Sequence, residues 1–474
     1  MGVLWDGFFY IFIYLPIYFL FSLFQKLYWI CNGMDDIVTQ IEAGQLYERS
    51  AQVFDIWYKI KKEPFQLLGC HNFIATHNRF EHPNFVLSHN ISLLAVQMDL
   101  AIFVEVPPHY DIFDCRKSPF IYLGQFSEAI RIITLPISSF IRCAEELGDP
   151  KMKVIWLHST GRCGSTAISQ VFEAVPNCTT VSEPMGLFVA RNDAGSKYNS
   201  QLLRQWLHCP TYCQTYQATV RMMAKPNQHN PEVLFIKNFT LSGVREVADL
   251  ETLFPTHTHL FLYRNCLETV QSYLRSLNNH FLLNVLMKLR GNACCRYVVR
   301  SPEILVRSLC APEVIDALPW LSDPNFQLNV TSFGLIVIQW CCFLYHYNML
   351  IDKQSSIRAI RYEDLVDNKH ATLTKLFQFC GISLDHVEAA IKSLAADSQE
   401  GTMLSKASLS TYKKLHITDA LRDEGNMYLK ACNLNELGKP TYVRNSVSTP
   451  ARSASPPNLP TRSYNGHVAI SMPA

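Results

Sequence analysis

"IWLHSTGRCGSTAISQVFE", residues 155–173, is the stretch on which the fold turns. Its branched and aromatic start reads as a buried strand, Gly161 and Gly164 as a sharp turn, and Ser165–Glu173 as a helix with apolar residues at helical spacing. A strand that turns through glycines into a helix brings main-chain N–H groups and the positive end of the helix dipole to one point, which favours an anion. The ATPase pattern G-x-x-x-x-G-K-[ST] is not met, because Ser159 stands at its first glycine and Ser165 at its lysine. Arg162 instead places a guanidinium fork inside the loop, suited to a tetrahedral oxyanion. With no magnesium-binding aspartate evident at a strand end, ATP with Mg²⁺ is disfavoured. Taken alone, the loop also fits a plain strand–helix turn with ordinary capping.

Outward from this loop, strands and helices alternate. "VIWLHS", "TTVSEP", "VLFIKNF", "HTHLFLYRN" and "IRAIRYEDL" read as strands, and "SGVREVADLETLF", "CLETVQSYLRSL", "GLIVIQWCCFLYHYNMLI" and "ATLTKLFQFCGI" as helices. That alternation predicts an α/β fold with a central parallel sheet covered by helices on both faces. Residues 27–150 read as a mixed α/β preface, in which "FVLSH" and "LLAVQMDLAIFVEVP" have strand character and "SSFIRCAEELGDP" is a helix. It could extend the main sheet or cover its substrate face. The main domain is expected over 151–438, and the Ser- and Pro-rich stretch 439–474 as a disordered tail.

The chain has 474 residues, is 48% hydrophobic and 17% charged, and carries a net charge of +2, so nothing global points to nucleic acid. Its 16 cysteines show no paired metal-ligand spacing, and no metal site is expected. Residues 7–25, "GFFYIFIYLPIYFLFSLFQ", hold no charge. About 19 helical residues just cross a hydrocarbon core of roughly 30 Å. Without a basic flank or a cleavage site, this reads as a single-pass membrane anchor over 1–26 rather than a removed leader. Asp6 before it and Lys26, Lys59, Lys61 and Lys62 after it lean toward a cytoplasmic C-terminal portion.

Further along, Arg264 closes "HLFLYR" and Ser272 follows eight residues later, about two turns into the next helix. This pair resembles the 3′-phosphate motif of the sulfotransferases, and Gly161, Arg162, Cys163, Gly164, Ser165 and Thr166 resemble that family's 5′-phosphosulfate loop. Tyr362–Leu365 is similar to the family's Y-E-D-L unit, read here as a structural strand end. Residues 397–410, "DSQEGTMLSKASLS", fall where the family's last phosphate-contacting loop lies, with Ser405 and Lys406 as candidate contacts. The resemblance runs over about 153–410. It implies the P-loop three-layer sandwich and transfer of a sulfonyl group from 3′-phosphoadenosine 5′-phosphosulfate (PAPS) to a hydroxyl or amine, without a metal.

The resemblance also implies a general base. Cytosolic members use a histidine in a K-T-H run, whereas the matching run here is Lys237–Asn238–Phe239. Glycan-directed and several membrane-bound members use a carboxylate, and Glu183 at the end of "TTVSEP" is the candidate, although it could equally be a salt-bridge partner of Arg162. His158 reads as a strand residue. A glycan or lipid acceptor and the Golgi membrane are what the resemblance implies, with acceptor pockets in loops near 190–230 and 279–330. Asn90 and Asn329 head sequons that a luminal location would allow, and Asn238 heads one in an expected buried strand. The alternative reading is a catalytically silent nucleotide-binding scaffold on the same fold.

Overall fold

The computed structural model describes residues 9–61, 66–97, 99–187, 210–238, 243–277, 312–323, 330–400, 402, 404–411 and 416–447. It contains two five-stranded sheets of different kinds. The first is antiparallel and made of β1 Ala51–Lys59, β2 Phe73–Glu81, β3 Ile91–Val96, β4 Leu100–Glu105 and β5 Arg131–Pro136, in the order β2-β1-β5-β4-β3. The preface is therefore a sheet of its own and adds no strand to the main one. Within it, "FVLSH" is a 3₁₀ turn over Pro83–Leu87 rather than a strand. Pro83 lacks the N–H a ladder needs, and the His82 ring accepts from the Asn84 N–H to close the turn.

An apolar helix, α1 Leu15–Cys31, and a shorter one over Met34–Glu42 precede this sheet, and α2 Ile121–Glu128 and α3 Ile137–Leu147 pack within the preface. Pro16 sits at the second position of α1, and the turn before it, Tyr10–Tyr14, is widened into a π-helix. A proline there removes one backbone bond and crowds the preceding turn, and the extra residue per turn relieves it.

The second sheet is parallel throughout and joins β6 Lys153–Ser159, β7 Cys178–Ser182, β8 Val233–Lys237, β9 Thr258–Tyr263 and β10 Arg358–Arg361 in the order β10-β9-β6-β8-β7. Alternate residues along its strands face opposite layers. Leu260 and Leu262 of β9 pack with α4 Ser165–Glu173 through Ile168 and Phe172, while Phe261 and Tyr263 pack with the long helices through Val337 and Tyr347. This is a three-layer α/β fold.

α5 Pro210–Met223 is the seam between the two sheets. Ala218 and Met222 join the core of Val53, Phe103 and Phe140, and Tyr216 and Val220 join that of Trp156 and Ile236. On the other layer lie α6 Cys266–Leu277, α7 Ser332–Asp352 and α10 Asp419–Ala431, and α8 Tyr362–Asp367 and α9 Lys369–Cys380 follow β10. α7 is buried over nearly its whole length, which explains a membrane-like composition in a core helix. Ser446 bridges to Ala359, and the Val447 N–H donates to the Ala359 carbonyl, so the chain after Lys439 runs beside β10 before the described residues end.

Candidate active site

The carboxyl ends of all five parallel strands meet at one place, and each contributes a candidate group. From β6 come Thr160–Gly164 and the start of α4. Gly161, Arg162 and Gly164 all have positive φ (71°, 51° and 87°), so successive N–H groups turn to one side of the chain. Gly164 caps α4 without a side-chain bond, and its missing Cβ makes room for the Tyr362 ring, against which any added carbon would collide. The side chain of Cys163 points inward and its thiol donates to the Leu262 carbonyl at 3.4 Å, so Cys163 can offer an anion only its backbone.

Arg162 is largely enclosed. Its Nε donates to Ser272 Oγ at 3.1 Å and its Nη1 to Gln399 Oε1 at 3.5 Å. Burial lowers its pKa from the ordinary arginine value. The two expected phosphate elements thus touch directly, one hydroxyl of α6 holding the loop arginine. Gln399 closes the third side, its Nε2 donating to Thr166 Oγ1 at 3.2 Å.

From β7 comes Glu183, one residue past the strand end and, like Arg162, a non-glycine at positive φ (55°). Each such conformation costs on the order of 1–3 kcal/mol and persists only where surroundings enforce it. Its N–H donates to the Lys237 carbonyl at 2.8 Å. Its carboxylate forms an ion pair with Lys237 Nζ, also at 2.8 Å, both side chains being buried. Lys237 ends β8 and additionally donates to Thr166 Oγ1 at 3.1 Å. A lysine therefore reaches the start of α4 from the neighbouring strand, where an ATPase loop would carry its own.

From β9 comes Arg264, whose guanidinium forms no ion pair among the described residues and lies 4.9 Å from the centre of the Tyr362 ring. β10 delivers Tyr362. The following acids are structural: Glu363 accepts from the Asn265 N–H at 2.9 Å, and Asp364 pairs with Arg361 at 3.0 Å, which ties the ends of β9 and β10 together. Ser405 caps a short helix, Lys406–Ser410, by accepting from the Ser408 N–H at 3.2 Å, and among the described residues no hydrogen bond joins its hydroxyl to the loop. The side chain of Lys406 lies outside the described residues, as do most of the expected acceptor loops.

His158 lies on the wall behind the site. It stacks beside His259, with Nε2 and Nδ1 3.2 Å apart, and is fully buried. Burial drops its pKa to about 4, so it stays neutral near pH 7. Asn238 donates to Glu246 at 2.6 Å and is 2% exposed, which puts its sequon out of reach, and Phe239, at the histidine's place in that run, lies outside the described residues. The Asn90 amide donates to the Val106 carbonyl at 3.0 Å, and Asn329 is outside the described residues.

Sequence reasoning passed over three groups. Lys237 was visible as a cation closing an apolar strand. Gln399 lies in a stretch already singled out. The preface supplies the third: the Phe120 ring lies under Lys237 Nζ, 4.6 Å from its centroid. Next to it Tyr122 is buried, and burial, with a further push from the Glu183 charge, raises its pKa well above the usual phenol value.

No protein-family model and no curated protein matches the chain. Solved structures do match. The chain is similar to sulfotransferases. Sulfotransferase STF1 from Mycobacterium tuberculosis aligns at 11% identity over 66% of this chain and 82% of that one, with a TM-score of 0.34. The sulfotransferase domain from the curacin biosynthetic pathway aligns at 13% identity over 61% and 100%, with a TM-score of 0.33. Retinol dehydratase, solved in complex with androsterone and the inactive cofactor PAP, aligns at 9% identity over 64% and 87%, with a TM-score of 0.27.

Proposed function

We propose that the chain is a PAPS-dependent sulfotransferase. The observation that carries this reading is the convergence, at the carboxyl ends of five parallel strands, of two arginines, a lysine–glutamate pair and an uncapped helix start. Such a crevice is where open α/β sheets take their ligands.

The residues fit the donor. Arg162, Ser165, Thr166 and the N–H groups around Gly164 would hold the 5′-phosphosulfate, and Arg264 with Ser272 the 3′-phosphate. PAPS supplies a sulfonyl group already bonded to a good leaving oxygen. An acceptor O–H or N–H loses its proton to Glu183, the new O–S or N–S bond forms, and the old S–O bond breaks toward the 5′-phosphate. Adenosine 3′,5′-bisphosphate is left.

The Lys237–Glu183 pair couples two parts of this step. As Glu183 accepts the proton, the ion pair loses its negative partner. The Lys237 ammonium, held at Thr166 Oγ1, is then free to stabilise charge growing on the phosphate oxygen. Phe120 keeps water from the pair, which strengthens both effects.

A glycan or lipid acceptor follows from a carboxylate base in place of the cytosolic histidine. The apolar N-terminal helix supports association with a membrane, and the Golgi is the compartment the resemblance implies.

The test is binding of adenosine 3′,5′-bisphosphate to the detergent-solubilised full chain, against ADP with Mg²⁺, followed by sulfonyl transfer from PAPS to a panel of glycans and lipids. Bisphosphate binding with turnover supports the enzyme, and bisphosphate binding without turnover on any acceptor supports the scaffold. Preference for ADP with Mg²⁺ overturns both.

A further inference from the structure

We propose that the N-terminal helix lies flat in one leaflet of a lipid bilayer, docked lengthwise on the antiparallel sheet, and does not cross the membrane. This deepens the membrane part of the reading above and requires nothing of sulfonyl chemistry.

The helix is amphipathic in an inverted sense. Tyr10, Tyr14, Tyr18, Ser22, Gln25 and Trp29, spaced for one helix face, carry hydroxyls, an amide and an indole and are, together with Leu15 and Phe21, its more covered positions. Phe12, Phe19, Leu20, Leu23, Phe24 and Leu27 are exposed, at 46–68%. A helix that turns its polar groups toward its own domain and its aliphatic face outward is built for an apolar exterior. By length and composition it matches a membrane segment, being 22 residues from Tyr10 to Cys31 with a mean hydropathy of 1.5.

Contacts along the helix rule out spanning in this docked arrangement. Gln66 Nε2 donates to Tyr10 Oη at 3.3 Å, and Tyr14 lies 6.3 Å from Tyr58 between ring centres. Gln25 Nε2 donates to the Ala75 carbonyl on edge strand β2 at 3.1 Å, and Trp29 packs on Phe54 and His77. The sheet is thus held from one end of the helix to the other. If the helix crossed a bilayer, β1 and β2 would enter hydrocarbon with it, bringing Asp55, His77 and Arg79. Lying flat, the helix buries its outer face about 5–10 Å deep while the sheet stays at headgroup level.

Charge and aromatic placement agree with a membrane surface. No charged residue occurs in the described helix before Lys26, whose ammonium pairs with Asp35, and Trp57 and Tyr58 stand exposed on β1. Exposed tryptophan and tyrosine rings are the side chains that settle at a membrane–water interface.

The experiment uses the full chain with one epitope tag before Met1 and another after Ala474, in sealed microsomes treated with protease. Both tags should be cleaved together or protected together. One cleaved and one protected means a spanning helix, and loss of the first tag from the mature chain means a removed leader; either overturns the proposal. Flotation on vesicles of phosphatidylcholine and phosphatidylserine gives the second reading. Leu20→Glu with Phe24→Glu should lower the floated fraction at least tenfold at an unchanged urea midpoint. A wild-type chain that does not float, whether because a second copy covers the face or for another reason, also overturns it. No step measures catalysis, so failure here and failure of the sulfotransferase reading are separate results.

Discussion

The buried Lys237–Glu183 pair gives the sharpest test of the site. Lys237 is 1% and Glu183 10% exposed at the side chain, and their charged atoms are 2.8 Å apart. At an effective dielectric of about 20, attraction at that distance is about 6 kcal/mol, opposed by the cost of taking both charges out of water. Losing one partner keeps the desolvation cost of the other and removes its compensation, which costs roughly 3–5 kcal/mol. Lys237→Met and Glu183→Gln should therefore each destabilise the protein by about that much, and the double variant by less than the two effects added, with a coupling of about 1–3 kcal/mol. Urea unfolding of the four proteins, followed by tryptophan fluorescence, measures the cycle. Single costs below about 1 kcal/mol that simply add would show that the two groups are hydrated, and the coupled proton transfer would go with them.

Three further outcomes follow from the same geometry. Arg264→Ala should cut adenosine 3′,5′-bisphosphate affinity by about 10- to 100-fold in calorimetry. Arg264 leaves no charged partner behind and gives up only its contact with the Tyr362 ring, so the unfolding free energy should fall by no more than about 1 kcal/mol. Gly164→Ala adds both a left-handed backbone cost at φ 87° and a collision with the Tyr362 ring, and a urea midpoint equal to wild type would refute that packing. His158 and His257 titrate near 4 and His259 well below its ordinary value, against about 6.5 in the unfolded chain, so unfolding takes up protons between these limits. Their contribution is fully present above about pH 6.5 and is lost as pH falls toward 4; a urea midpoint that is flat from pH 7 to 5 would contradict it.

Much of the fold was legible because its parallel strands are apolar runs closed by turn residues, and "VIWLHS", "VLFIKNF" and "HTHLFLYRN" each match a strand to within a residue or two at either end. The preface was harder. Its first two strands, β1 and β2, are half-buried and carry register shifts that break strict alternation. The helix of residues 332–352 and the N-terminal helix have similar mean hydropathy, 1.4 and 1.5, yet one is 83% buried in protein and the other 11%. Composition reports how apolar a helix is, whereas only packing shows what covers it.

The candidate site was legible where its residues lie close together in sequence and hidden where they do not. Gly161, Arg162 and Gly164 lie within four residues, and the positive φ of the two glycines, though not that of Arg162, is a property the sequence announces. Arg264 and Ser272 carry a spacing set by one helix. Lys237, Gln399 and Phe120 come from three separate elements, and what unites them is contact with Thr166 or with each other. Such convergence needs the strand order: β8 lies beside β6, so the end of one reaches the loop that follows the other. A lysine missing from a phosphate loop is then weak evidence against an anion site, because any strand adjacent to the loop strand can supply it. A chain with this strand order should be searched for its cation at the carboxyl ends of both neighbours of the loop strand, and here Lys237 and Arg264 occupy those two ends.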